Sequence, residues 1–144
     1  MIFEPLRYEH LKQMAAIEPE AFSAPWTERM FIPEVESDEA FYKVGVNGSE
    51  VICYGGFHKI FDEAHITNIA VKKEYRGKGY GKLLLSELIS LAKLNGVNSM
   101  TLEVSVNNHR ARNLYESFGF VPSGIRKKYY PDGADAIIMW KNLI

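Results

Sequence analysis

One segment constrains this chain more than any other: Arg76-Gly77-Lys78-Gly79-Tyr80-Gly81, set between an apolar strand and a long amphipathic helix. Three glycines at alternate positions let the backbone take positive φ and approach a ligand closely. The N–H groups of the turn and of the first helical residues converge on one spot. The helix dipole adds partial positive charge there, and Arg76, Lys78 and Lys82 add full charges. That combination suits a pyrophosphate; the alternative is a glycine-rich turn with no ligand. The turn is not a P-loop, because Gly81-Lys82 is followed by Leu83. Nor is it a dinucleotide fingerprint, because its spacing is G-x-G-x-G.

The strand before the turn is predicted over His65–Val71. The helix after it carries Leu84, Leu85, Leu88, Leu91 and Ala92 on one stripe and ends at Asn95-Gly96. Upstream, the pattern predicts a strand over Ile2–Arg7 and a helix over Tyr8–Ile17, stopped by Pro19. Thr27 caps a second helix running to about Ser37, which Pro33 interrupts or kinks. Two strands, Phe41–Val46 and Val51–Ile60, are joined by the hairpin turn Asn47-Gly48. Gly55-Gly56 implies a bulge or a close backbone approach. Downstream come a strand over Met100–Val106, a helix over about Asn108–Phe118, and strands over Phe120–Ile125 and Ala136–Trp140. The order is strand, two helices, three strands, helix, strand, helix, two strands. It reads as one α/β domain over residues 1–144, with four helices and a mixed, mostly antiparallel sheet. The strand–helix–strand unit around Leu84–Leu91 requires a parallel crossover.

Composition bounds the function. In 144 residues the formal charge is −1, which argues against non-specific nucleic-acid binding. Cys53 is the single cysteine, so no internal disulfide ties the chain to an oxidising compartment. No apolar run approaches the ~18 residues of a membrane span, and no signal peptide is evident. A cytoplasmic location is expected. Histidines and Cys53 stand at no metal-ligand spacing, so no metal is expected.

Arg76–Gly81 fits the R/Q-x-x-G-x-G/A motif of the GCN5-related N-acetyltransferases. Asn68-Ile69-Ala70-Val71 and Asn107-Asn108 with Leu114-Tyr115-Glu116-Ser117-Phe118-Gly119-Phe120 resemble that family too, and the resemblance spans essentially the whole chain. It implies acetyl-CoA bound between two splayed parallel strands, here His65–Val71 and Met100–Val106, with the pyrophosphate on residues Arg76 to Lys82. Phe22-Ser23-Ala24-Pro25-Trp26, Arg126-Lys127-Lys128-Tyr129-Tyr130-Pro131 and Asp135-Ala136-Ile137-Ile138-Met139 resemble the bacterial ribosomal-protein-alanine acetyltransferases. That subfamily acetylates the N-terminal alanine of a small-subunit ribosomal protein. Lys127-Lys128 departs from it, standing where an asparagine is frequent.

Transfer of an acetyl group to an amine needs a base, a donor for the carbonyl oxygen, and an acid for the departing thiolate. Glu103 is unusual inside an apolar strand. It reads as a base, or else as a solvent-facing or ion-paired strand residue. The resemblance implies the base. Tyr115 reads as core packing by spacing, whereas the resemblance implies the acid that faces the coenzyme sulfur. Asn108 is a pantetheine contact, a helix N-cap, or both. The resemblance also implies an oxyanion donor among the backbone amides of Ile69, Ala70 and Val71. Trp26, Tyr129 and Tyr130 are candidate walls of an acceptor groove, with core packing equally open for Trp26. Arg126, Lys127 and Lys128 read as a solvated face, and Cys53 as a small core group.

An α-amine titrates near 7.7–8.0 and lysine near 10.4, so deprotonating lysine costs roughly 3.4 kcal/mol more at neutral pH. That difference favours a protein N-terminus as acceptor. The rivals are a small amine or lysine acceptor, and a non-catalytic acyl-CoA-binding module.

Overall fold

The computed structural model describes residues 1–144. The chain runs β1 (Ile2–Glu4), α1 (Leu11–Ala21), α2 (Glu28–Glu36), β2 (Ala40–Asn47), β3 (Glu50–Ile60), β4 (Glu63–Val71), α3 (Tyr80–Leu94), β5 (Ser99–Ser105), α4 (His109–Ser117), β6 (Val121–Arg126) and β7 (Ala136–Asn142). This is the order the sequence pattern predicts. Short 3₁₀ turns at Tyr8–His10 and Lys73–Tyr75 precede α1 and the glycine turn. One seven-stranded sheet has the order β1-β2-β3-β4-β5-β7-β6. Only β4 and β5 are parallel, joined by the α3 crossover.

Local signals account for most boundaries. The Thr27 hydroxyl accepts the Met30 N–H and starts α2. Asn108 does the same for α4 through Ala111 N–H. Gly96 takes φ 75° after α3, and its N–H reaches Lys93 O. Two expectations need correction. The first strand ends at Glu4 instead of Arg7, because the 3₁₀ turn begins at Tyr8. Pro19 does not stop α1, which continues to Ala21. Pro19 lies in the last helical turn, where its missing N–H removes one bond, and Phe22 N–H still closes on Glu18 O at 3.0 Å.

Each face of the sheet carries its own core. Leu84, Leu85 and Leu88 of α3, Tyr115 of α4, and Met100, Leu102 and Val104 of β5 pack together on one face. Leu11, Met14 and Ile17 of α1, Phe31 of α2, and Val44, Tyr54 and Ala70 pack together on the other. β4 contributes to both. Ala64 and Ile66 join the α3 face, then Ile69 and Val71 join it, so the alternation changes phase between them. The register explains the change: Phe57 pairs with Ile66 and Gly56 with Asn68, leaving Thr67 as the extra residue of a bulge. The bulge sends both Thr67 and Asn68 to the α1–α2 face.

Gly55 and Gly56 make this possible. A Cβ on Gly55 would lie 3.1 Å from Asn68 O and from Leu88 Cδ1, and one on Gly56 would sit 2.5 Å from the Tyr42 ring. Close backbone approach and bulge therefore occur together, as the glycine pair suggests.

Leu88 is fully buried between α3 and this glycine pair. Leu88→Ala should cost about 2–5 kcal/mol, read as a lower urea midpoint with an unchanged slope. A loss under 1 kcal/mol would contradict the packing.

Candidate active site

The glycine turn leaves β4 through Val71 and enters α3 at Tyr80. Gly77 and Gly79 take φ 79° and 88°, and Gly79 is the N-cap of α3 without a side-chain cap. Gly81 is different from the expectation of three special glycines. It lies in the first turn of α3 with no positive φ, and its Cβ position meets Leu114 Cδ2 at 3.5 Å. The amides of residues 77–82 have no acceptor within the protein, and the first helical bond is Leu83 N–H to Gly79 O. Six consecutive free N–H groups at a helix N-terminus form a site for an anion.

The positive side chains divide. Arg76 donates from Nε to Val71 O at 3.0 Å and from Nη2 to Glu20 O at 3.1 Å, so it braces the turn against β4 and α1. Lys78 lies over the Tyr75 ring at 5.6 Å, and Tyr75 meets Tyr80 edge-on. Lys82 makes no ion pair within the chain.

β4 and β5 pair only at Glu63–Ser99, Ala64–Met100 and His65–Thr101. Beyond His65 the strands part. Alternate N–H and C=O groups of Ile66–Val71 then face an open edge instead of a ladder partner. This is where Ile69, Ala70 and Val71 lie.

Glu103 stands on β5 just past the parting, opposite Ile138 of β7, with its side chain 32% exposed. Its Oε1 lies 3.3 Å from Arg126 Nε, and its Oε2 lies 3.5 Å from the Tyr129 hydroxyl. Arg126 was expected only on a solvated face. The β6–β7 pairing brings it to Glu103, and that contact has no local sequence signal. Tyr129 and Tyr130 pack edge-to-face at 5.1 Å. Burial, with the Glu103 charge adding to it, pushes Tyr130 up to about 12.

Tyr115 is 8% exposed and packs on Phe120 at 5.8 Å. Its hydroxyl has no partner within the protein, yet no wholly buried side-chain polar atom lacks one, so that oxygen reaches accessible space. Burial, reinforced by Tyr130, raises its pKa well above the usual tyrosine value. It therefore stays protonated as a donor. Asn108 uses Oδ1 for the α4 cap, leaving its amide nitrogen available. Cys53 is wholly buried, and burial pushes its thiol up to about 12, as befits a core group.

The acceptor-side residues do not all converge. Tyr129 and Tyr130 gather at Glu103. Trp26 packs against Phe31 at 5.1 Å on the α1–α2 core, partly buried. Its backbone N–H points to Glu18 Oε1 at 3.4 Å. Glu18 is 1% exposed, and it also accepts from the Tyr54 hydroxyl at 3.0 Å and Asn68 Nδ2 at 3.5 Å. In sequence Glu18 falls at helical spacing with Leu11 and Met14, but nothing local marks it as a buried acceptor for groups from β3 and β4.

A model of the acetyltransferase (GNAT) family matches residues 11–120. A protein of Escherichia coli (strain K12) named [ribosomal protein bS18]-alanine N-acetyltransferase is 38% identical over 126 residues, covering 85% of this chain and 84% of that one. A protein of Bacillus subtilis (strain 168), provisionally given the same name, is 42% identical over 137 residues, covering 94% and 91%. The crystal structure of the ribosomal-protein-S18-alanine N-acetyltransferase from Escherichia coli superposes with a TM-score of 0.90 at 33% identity, covering 99% of this chain and 93% of that one.

Burial raises the Glu18 carboxyl above its ordinary 4.5, against the opposing hydrogen bonds from Tyr54, Trp26 and Asn68. The folded chain therefore holds that proton more tightly than the unfolded chain. The stability gained by the neutral form is present below the ordinary value and is lost as pH climbs through the raised one. Glu18→Gln removes this slope. Urea unfolding of both proteins between about pH 4 and pH 7 should show the stability difference moving toward the variant as pH rises. A difference independent of pH would contradict the buried carboxyl.

Proposed function

The chain belongs to the acetyltransferase (GNAT) family, and from that premise we propose that it transfers the acetyl group of acetyl-CoA directly to a protein N-terminus. The acceptor is the N-terminal alanine of a small-subunit ribosomal protein, in line with the activity for which its relatives are named. No helix is long and apolar enough to cross a membrane; we take the site of action to be the cytoplasm, with neither a membrane nor a nucleic acid as partner and no metal in the reaction.

The residues fit the coenzyme. The free amides of residues 77–82 suit a pyrophosphate, with Lys78 and Lys82 adding charge. Arg76 holds the turn in place. The open edge at Ile69, Ala70 and Val71 and the Asn108 amide suit the pantetheine arm. Bound there, acetyl-CoA supplies an acetyl group activated as a thioester.

What supports the reading is Glu103 on β5 just past the last β4–β5 pair, in contact with Arg126 and Tyr129, together with Tyr115 of α4 close enough to Tyr130 to feel its charge. The Glu103 carboxylate accepts a proton from the acceptor ammonium, directly or through a water. Arg126 and Tyr129 fix that carboxylate from the other side. A free β4 amide beside Ile69 donates to the carbonyl oxygen as charge develops there. The Tyr115 hydroxyl gives its proton to the departing sulfur. Tyr129 and Tyr130 wall the acceptor groove on the β6–β7 side, while Trp26 belongs to the α1–α2 core.

Three acceptors test the assignment: a lysine-free peptide with a free N-terminal alanine, an N-blocked peptide with an internal lysine, and a polyamine. Thiol release confined to the first is expected. Release only with the lysine peptide or the polyamine would overturn the acceptor class. Glu103→Gln should lower kcat by about a hundredfold or more while acetyl-CoA still binds in calorimetry. Unchanged turnover would remove Glu103 from the mechanism.

A further inference from the structure

The bulge that parts β4 from β5 is held from the α1–α2 side by a hydrogen-bonded chain that none of the site residues above includes. His58 of β3 places Nε2 2.7 and 2.8 Å from the two oxygens of Glu34 in α2. Glu34 Oε1 accepts the Tyr42 hydroxyl of β2 at 2.7 Å. Tyr42 Oη lies 3.1 Å from Thr67 Oγ1. Tyr42 spends its only proton on the carboxylate, so toward Thr67 its oxygen is an acceptor. Thr67 has one proton as well, and three acceptors lie within its reach: Tyr42 Oη, Gly56 O at 3.2 Å and Asn68 Oδ1 at 3.3 Å. Thr67 is the extra residue of the bulge.

These groups are placed to hold a position. Glu34 is 7% and Tyr42 5% exposed, and the Tyr42 ring lies flat against Gly56, directly across from the bulge. A buried carboxyl group held by two neighbours is fixed in one orientation, and its hydrogen bonds are stronger for the low polarity around them. The next bulge residue, Asn68, is tied to the other buried carboxylate, Glu18 of α1. Each helix of the α1–α2 pair thus anchors one bulge residue. The open edge continues past them to Val71.

We propose that Tyr42, oriented by Glu34 and His58, is a positioning residue for acetyl transfer: it sets Thr67, and through the bulge it aims the β4 amide that meets the thioester carbonyl. A displacement there affects the transition state more than coenzyme binding, because the pyrophosphate site on the glycine turn is separate. The proposal rests on the functional reading above.

Tyr42→Phe removes the hydroxyl and leaves the ring on Gly56. It should lower kcat about tenfold or more, as small misplacements of reacting groups do, with KM for acetyl-CoA within about twofold. Thr67→Val should give a similar loss, and Thr67→Ser should recover most of it. The double variant should be no slower than the slower single variant, since both break one chain. A kcat for Tyr42→Phe within twofold of wild type would overturn the proposal, as would additive losses in the double variant. If the wild-type chain acetylates none of the acceptors, the functional reading fails by itself. The amide resonance of Ile69 in the acetyl-CoA-bound protein then decides: Tyr42→Phe must move it and leave those of Gly79 to Lys82 in place. An unmoved Ile69 resonance overturns the proposal.

Discussion

The parting of β4 from β5 is the constraint on which the rest of this molecule depends. Two parallel strands at the centre of a sheet ordinarily satisfy each other's backbone along their length. Here pairing stops after His65 and Thr101. The extra residue Thr67 turns the chain, and the following backbone groups are left without a ladder partner. Such an edge persists because both faces of β4 are packed: Ile69 and Val71 against the α3 core, and Ala70 against the α1–α2 core. The open groups lie between two rigid layers, where a ligand backbone or carbonyl can take the place of a strand.

The chemistry is distributed around this edge according to what each element can supply. The β4–α3 turn offers free amides and charge. β5 continues past the parting and carries Glu103, which β6 and the β6–β7 loop brace through Arg126 and Tyr129. α4 returns Tyr115 to the same region from the other face. The two tyrosines deepest in this region, Tyr115 and Tyr130, are both raised by burial, which keeps donors neutral beside an exposed carboxylate. Glu18 and Glu34 are spent on structure, each buried beneath the bulge with its hydrogen bonds made. Holding the backbone accounts for these two charged residues in an otherwise apolar layer, while Glu103 stands apart from them on the exposed side of β5.

Much of this was legible in the sequence because local rules dominate it. The caps Thr27 and Asn108, the positive-φ residues Gly77, Gly79 and Gly96, and the Leu84–Leu88 stripe set their elements within a few residues. The Gly55–Gly56 pair announced the irregularity. What escaped was non-local. Pro19 looks like a helix stop, but its effect depends on how close the helix end is. Gly81 looks like Gly77 and Gly79, yet it serves a helix turn and not a left-handed bend. Arg126 meets Glu103 only through the pairing of β6 and β7. The bulge falls on Thr67, across the ladder from the glycines that permit it. The chain from His58 to Thr67 joins residues on four elements, and no spacing in the sequence records it.

In the proposed function the parted strands are the seat of acetyl transfer. A crystal structure with a bisubstrate analogue, in which coenzyme A is joined through an acetyl bridge to an alanine-initiated peptide, tests it most directly. The pyrophosphate should lie on the amides of Gly77 to Lys82. The bridging carbonyl should lie within hydrogen-bonding distance of a β4 amide at Ile69 to Val71, the sulfur beside the Tyr115 hydroxyl, and the peptide between Tyr129 and the α1–α2 loop on the Glu103 side. An analogue bound outside the opening between β4 and β5, or one whose peptide leaves on the side away from Glu103, would contradict it.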